Sequence, residues 1–476
     1  MSSSLTTGLE ASPPVSPGDA LRELWRHAGM PAATLSQVSL TGGDPVLPSS
    51  FAVGTAAQAS LGAAALAAAQ IDVARGGTPQ RVSVDMLHAA QECRSYFQVD
   101  GETPEIWDKI TGLYPCADGW VRIHANFAHH RDGALRLLGL ATGPNTGRAE
   151  VEAALREWPA EAFESAGAEA GIVVSAMRSF EQWDGHPQAD AIARLPVFTL
   201  ERIGDAPPRA WPERAPGERP LAHVRVLELT RIIAGPVCGR ALAAYGADVM
   251  LINAPDLPNI STLIETSRGK LSAHADLHTA VGRESLKRLL TDAHIFVQGY
   301  RPGALAGLGF GPHEAAALRP GLVYVSLTAY GHEGPWAGRR GFDSLVQTAT
   351  GFNHAEAAAA GQSKPLALPV QLLDHASGYL MALGAQAALW RQAQEGGSWH
   401  VRVSLAQTAK WVRGLGRIKD GLSIAMPPVD NVLETSESGF GALTAVRHAA
   451  RFSDTPACWP RPSMPPGTHP PLWPTD

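Results

Sequence analysis

Asp374 opens an apolar, helix-like run, Asp374–Gln394, and is followed by His375-Ala-Ser-Gly378. An aspartate at a helix start ordinarily caps the free amides there. Held against a bound carbonyl with water excluded, the same carboxylate can act as a nucleophile. The residue type and position support both roles. His375 could serve as a base, but neighbouring helix residues face different directions, so it is expected off the Asp374 axis. Arg301 sits in the turn Gly299-Tyr-Arg-Pro-Gly303, directly after the strand-like Ile295–Val297. A guanidinium there suits a phosphate, and the glycines let backbone approach it. His129-His130-Arg131 has no carboxylate or cysteine at metal spacing and reads as a polar helix start. The four cysteines form no CxxC pair, which points to neither a disulfide framework nor a zinc site.

These residues need elements to carry them. The chain has 476 residues, 45% of them hydrophobic and 18% charged, enough for more than one core. A net charge of −6 argues against a general nucleic-acid binder. The Ala-rich run Ala56–Ala69 is too short and too weakly apolar to span a bilayer, and the N-terminus lacks the pattern of a secretory signal. A cytoplasmic protein without membrane or nucleic-acid partners is expected. From Leu221 onward, strand-like runs alternate with helix-like ones: Val224–Leu229, Val237–Tyr245, Asp248–Ile252, Glu284–Thr291, Ile295–Val297, Pro312–Leu318 and Leu322–Leu327. That alternation predicts an α/β fold, a doubly wound parallel sheet, with a ligand beyond the carboxyl ends of its strands. Upstream, Ala20–Ala28 and Phe51–Ala74 read as helices and Arg81–Asp85 as a strand. Cys116–His124 reads as a hairpin turning at Asp118-Gly119, with helices at Asp132–Leu138 and Ala149–Trp158. The expected divisions are a lead-in with a short helix (1–48), a first half (49–205), a Pro/Arg-rich linker (206–220), a nucleotide-type fold (221–365), a long helix and strand (366–412), and an irregular Pro-rich tail (413–476). One repeat is visible. Ala57–Val84 and Ala376–Val403 each run from an Ala/Leu/Gln helix through a Gly-Gly break to V-x-V, and Thr55 falls where Asp374 stands.

The second section resembles the family III (CaiB/BaiF-type) CoA-transferases. The resemblance rests on Val224-Arg-Val-Leu-Glu-Leu-Thr-Arg-Ile-Ile-Ala-Gly-Pro236, Gly246-Ala-Asp-Val249 and Gly299-Tyr-Arg-Pro-Gly-Ala-Leu305. It continues in Leu322-Val-Tyr-Val-Ser-Leu327, Gly341-Phe-Asp343 and Leu373-Asp-His-Ala-Ser-Gly378. Gln80–Leu87 and Ala117–Ile123 resemble family segments that normally follow the Asp helix, so the halves stand in reversed order, and 49–205 corresponds to a smaller α+β domain with a degenerate Asp helix.

The resemblance implies CoA transfer between an acyl-CoA and a free carboxylic acid, with Asp374 as nucleophile, coenzyme A as the bound group, no metal, and a homodimer. It implies CoA contacts at Ile233, Ala234, Asp276, Tyr300, Arg301 and Arg340. Ala275 and His278, flanking Asp276-Leu277, depart from the family's Leu-Asp-Leu-Lys, and Ala254 and Gly307 replace residues that are basic in some members. Racemases of the same fold carry a histidine where Phe342 stands here, and phenylalanine cannot shuttle protons. The lost basic positions also leave room for a non-catalytic CoA-binding protein. A dinucleotide oxidoreductase is excluded by the missing GxGxxG.

Overall fold

Strand segments with few charges, such as Arg225–Leu229 (RVLEL) and Asp248–Asn253 (DVMLIN), are covered on both faces, as a parallel sheet between helices requires. The computed structural model describes residues 13–474. It places these strands in a seven-stranded sheet ordered Lys270–His274, Asp248–Asn253, Arg225–Leu229, Ile295–Gln298, Val323–Thr328, Ser398–Ser404 and Phe198–Gly204. All neighbours pair in parallel except Phe198–Gly204, which runs antiparallel to Ser398–Ser404. The strand order reverses between Arg225–Leu229 and Ile295–Gln298. At that reversal the turns Thr230–Ile233 and Gly299–Arg301 leave in opposite directions and open a crevice.

Two long helices form the centre of the molecule, Val53–Ala74 and Leu372–Glu395. Both are buried almost all round, as their lack of a polar face requires. Small residues let them approach closely, and the Gln386 amide donates to the Ala64 carbonyl across the contact at 3.0 Å. Leu372–Glu395 is also packed against Ala234–Ala244. There a Cβ on Gly378 would stand 2.6 Å from the Ala234 carbonyl oxygen, so only glycine fits.

The smaller α+β unit is the antiparallel sheet of Gly112–Pro115, Trp120–Ile123 and Val174–Ala176, backed by Ala128–Leu137, Arg148–Leu155 and Ala160–Glu169. It has its own core, built on Tyr114, Val121, Leu135 and Phe163.

Several expectations are corrected. The helix expected at Ala20–Ala28 begins at Pro17, capped by Ser16, and Met1–Ser12 lie outside the described residues. The strand Lys270–His274 was not foreseen, because its alternating polar residues hid it. The Pro/Arg-rich stretch 206–220 has neither helix nor strand but is tied down. Arg75 at the end of Val53–Ala74 donates to the carbonyls of Pro212, Arg219 and Pro220, and Arg214 pairs with the buried Asp72 at 3.0 Å. The tail is not irregular throughout. Leu433–Ser438 and Gly441–Val446 form a hairpin that adds Phe97–Val99, and Ala450–Phe452 pairs with Val82–Asp85. Alternation there is short and interrupted, and only pairing with distant strands makes it sheet. No described helix is long and apolar enough to cross a membrane.

Candidate active site

The turn Thr230–Pro236 is set from beneath. Lys270 and Glu228, both buried, form an ion pair at 2.8 Å; Lys270 also donates to the Pro236 carbonyl, and the Thr230 hydroxyl donates to Glu228. Charges this deep are tolerated only when paired in this way. Within the turn Ile232 adopts φ 76, a left-handed conformation that a β-branched residue reaches only under constraint. A Cβ on Gly235 would stand 2.4 Å from that of Thr230, so the turn also depends on glycine there.

Beside this turn lies a cavity of about 550 Å³. Of the residues singled out from the sequence, Ile233, Ala234, Tyr300, Arg301, Arg340 and Asp374 line it. Asp276 does not. Its carboxylate turns back to accept the His278 amide at 2.9 Å, and its neighbours Leu277 and His278 face the cavity instead. An aspartate ahead of a tight turn satisfies that turn's own amides first.

Asp374 is 5% exposed and stands in the first turn of Leu372–Glu395. It does not cap that helix. The cap comes from Asp343, 31 residues upstream, whose Oδ2 accepts the Asp374 amide at 2.9 Å while its other oxygen accepts from Gln347. Relieved of capping, the Asp374 carboxyl receives no hydrogen bond from any described residue and faces the cavity. Burial, then the neighbouring Asp343 carboxylate, holds it well above the usual carboxylate range. Asp343, fully buried, is itself raised to about 6 by burial, partly offset by its amide donors and the charge of Arg122. His375 points elsewhere: its Nε2 meets the Ser95 hydroxyl at 2.8 Å, and burial pushes it down to about 3, so it is a neutral structural residue.

Part of the cavity wall was not legible in the sequence. Phe127, His129, His130 and Val173 come from the small α+β unit, and Arg231 from the strained turn. His129 and His130 do begin the helix Ala128–Leu137 as expected, but that reading gave no hint that they face Asp374's cavity. Phe342 stacks on the buried His124 ring at 4.1 Å and lies 6.4 Å from Phe127, placing an aromatic layer on the cavity wall beside Asp343. Arg340 spans the two units by donating to the Gly171 carbonyl at 3.1 Å.

An acyl-CoA transferase from Gibberella moniliformis is 29% identical over 372 residues, 69% of this chain and 64% of that protein. A succinate–glutarate CoA-transferase from Agrobacterium fabrum is 32% identical over 213 residues, 41% of this chain and 52% of its own. The chain thus spans less than two thirds of the length of these curated relatives. A crystal structure of a CAIB/BAIF family protein from Brucella suis is 26% identical, covering 47% of this chain and 65% of that one, with a TM-score of 0.37. The sequence model of CoA-transferase family III matches in two blocks, residues 27–194 and 221–415. Each block contains one of the two long helices, and together they cover most of the chain, which belongs to CoA-transferase family III.

Proposed function

We propose that this chain moves CoA between an acyl-CoA thioester and a free carboxylic acid through covalent intermediates on Asp374. The observation that carries the reading is a buried aspartate whose carboxyl has no hydrogen-bonding partner among the described residues and lies on the wall of a cavity at the sheet's strand-order reversal.

The Asp374 carboxylate attacks the thioester carbonyl, the C–S bond breaks, and a mixed anhydride forms with CoA leaving as thiolate. The thiolate attacks the Asp374 carboxyl carbon, releasing the first acid as carboxylate and leaving CoA as an aspartyl thioester. The acceptor carboxylate attacks that thioester, again expelling thiolate. Thiolate then attacks the acceptor's acyl carbon, forming the new acyl-CoA and restoring the Asp374 carboxylate. Every step exchanges anhydrides and thioesters within a cavity that shields them from water. Ile233, Ala234, Tyr300, Arg301 and Arg340 are the CoA contacts in this reading. A cytoplasmic homodimer completes the reading.

Incubation with an acyl-CoA followed by hydroxylamine should convert Asp374 to a hydroxamate, read by peptide mass spectrometry. Absence of any adduct across reactive acyl-CoAs, with CoA shown to bind, would sink the transferase reading. Deuterium entering the acyl α carbon without exchange between acids would instead select the racemase chemistry of the same fold.

A further inference from the structure

In the exchange proposed above, the first acid leaves Asp374 and the second arrives while CoA stays behind as the aspartyl thioester. The pantetheine arm and nucleotide then occupy the opening beyond the strand ends, so the acids need another way in. A second cavity, of about 500 Å³, adjoins the first. His129 and Arg340 line both cavities, and no other described residue of either wall is shared. Both are exposed, so the partition between the cavities is two solvated side chains and not packed core. The rest of the second wall belongs to the small α+β unit. The helix Ala128–Leu137 supplies Arg136, and the turn after Ala160–Glu169 supplies Ala170 and Gly171. No aspartate or glutamate among the described residues lines this wall. Asp132, one helical turn before Arg136, is taken up by Arg131 and the Gly143 amide. The Gly171 carbonyl accepts from one Nη of Arg340, leaving the rest of that guanidinium open to an anion. A cleft lined by one sign of charge raises the local concentration of ligands of the other sign.

We propose that the second cavity is the port through which carboxylate anions reach Asp374 and leave it while CoA holds the first, with Arg136 and Arg340 drawing them in. The inference rests on the transferase reading of Asp374 and gives its acid substrates a path of their own. An anion that passes between His129 and Arg340 enters the cavity that Asp374 lines. Burial, and then the charges of Arg340 and Arg231, hold His129 below the ordinary imidazole range. The partition therefore carries one full charge, on Arg340, which attracts a carboxylate without a second cation beside it to retain it. Arg136 lines only the second cavity, so its charge can be changed without touching the wall that faces CoA.

The test follows isotope exchange between an acyl-CoA and its own labelled acid, acetyl-CoA with acetate and hexanoyl-CoA with hexanoate. Beside it runs adduct formation from the thioester alone, trapped by hydroxylamine. Arg136→Glu should lower kcat/KM for the acid about tenfold at low salt, and the deficit should shrink as salt screens the charge. Ala170→Trp, on an exposed turn, should narrow the port and cost hexanoate more than acetate. In both variants adduct formation should stay within about twofold of wild type, because no acid has to enter for that step. The same measurement shows that the variants are folded. Acid kinetics equal to wild type in both variants overturn this inference and leave the transferase reading standing. A parallel loss of adduct formation and acid exchange overturns it too, since the second cavity would then serve the thioester. Wild-type protein that binds CoA, forms no adduct and exchanges neither acid would overturn the underlying reading itself.

Discussion

The two long helices begin in the same way and end up chemically opposite. At the start of Val53–Ala74, Asp44 accepts the amides of Gly54 and Thr55 at 3.0 and 2.8 Å. At the start of Leu372–Glu395, Asp343 accepts the Asp374 amide at 2.9 Å. Asp44 thus stands to Thr55 as Asp343 stands to Asp374. Both helices then reach a Gly-Gly break, a strand containing V-x-V and a further helix capped by that strand's last residue, Asp85 or Ser404. In the first copy the Thr55 hydroxyl also donates to Asp44 at 2.8 Å, and the corner is satisfied. In the second, Asp374 has no proton to give when ionised and is repelled by its own cap. One residue separates the two helix starts: a donor closes the first corner, whereas in the second a carboxyl without a hydrogen-bond partner among the described residues faces the cavity.

The largest expected effect comes from making the second copy resemble the first. Asp374→Thr should lower CoA exchange by at least about a thousandfold, because the nucleophile is gone. The same variant should raise the urea midpoint, since the new hydroxyl can donate to Asp343. If exchange survives, the assignment of Asp374 is wrong. The converse change, Thr55→Asp, removes one hydrogen bond and sets two buried carboxyls together. At neutral pH it should destabilise the fold by about 3 kcal/mol, less so near pH 4, without adding exchange when combined with Asp374→Asn. Unaltered denaturation curves would show that the two helix starts are not equivalent.

Smaller effects concern the cap itself. Folding raises Asp343 from the usual 3.8 to about 6, so the folded state favours its protonated form. Its contribution is therefore most favourable below pH 4 and is lost as the pH rises through 6. Asp343→Asn should then stabilise the chain relative to wild type above pH 6, by on the order of 2 kcal/mol, with the gain vanishing below pH 4. It should also move the acid limb of the exchange profile to lower pH, because Asp374 loses the charge that opposes its ionisation. An acid limb that stays in place would remove Asp343 from the account. Least of all, Gln386→Leu should cost about 1 kcal/mol by deleting the bond to Ala64 while leaving exchange intact. A large loss of activity there would mean that the helix contact, and not only the helix starts, sets the position of Asp374.

Much of this was readable residue by residue. Apolar runs at 224–229, 248–252 and 322–327 announced the parallel sheet, and the Gly-Gly breaks announced the ends of the long helices. The alignment of Thr55 with Asp374 anticipated the paired helix starts. The strands at 270–274 and 433–446 were missed, because their polar or exposed residues carry no pattern until a neighbour pairs with them. Asp276 was misplaced, since a residue type next to a cavity does not say which way its carboxylate turns.

The linear order of residues determined which elements form and where Asp374 and Arg301 stand on them, because propensity, apolar continuity and glycine turns act over a few neighbours. Tertiary structure alone decided that Asp343 caps the helix, that Asp374 is left free to face the cavity, and that Phe127 and His130 meet Arg231 from another unit. Those contacts join residues tens to a hundred positions apart. Their energies depend on burial and on which charges the packed interior brings together, which no local stretch of chain encodes.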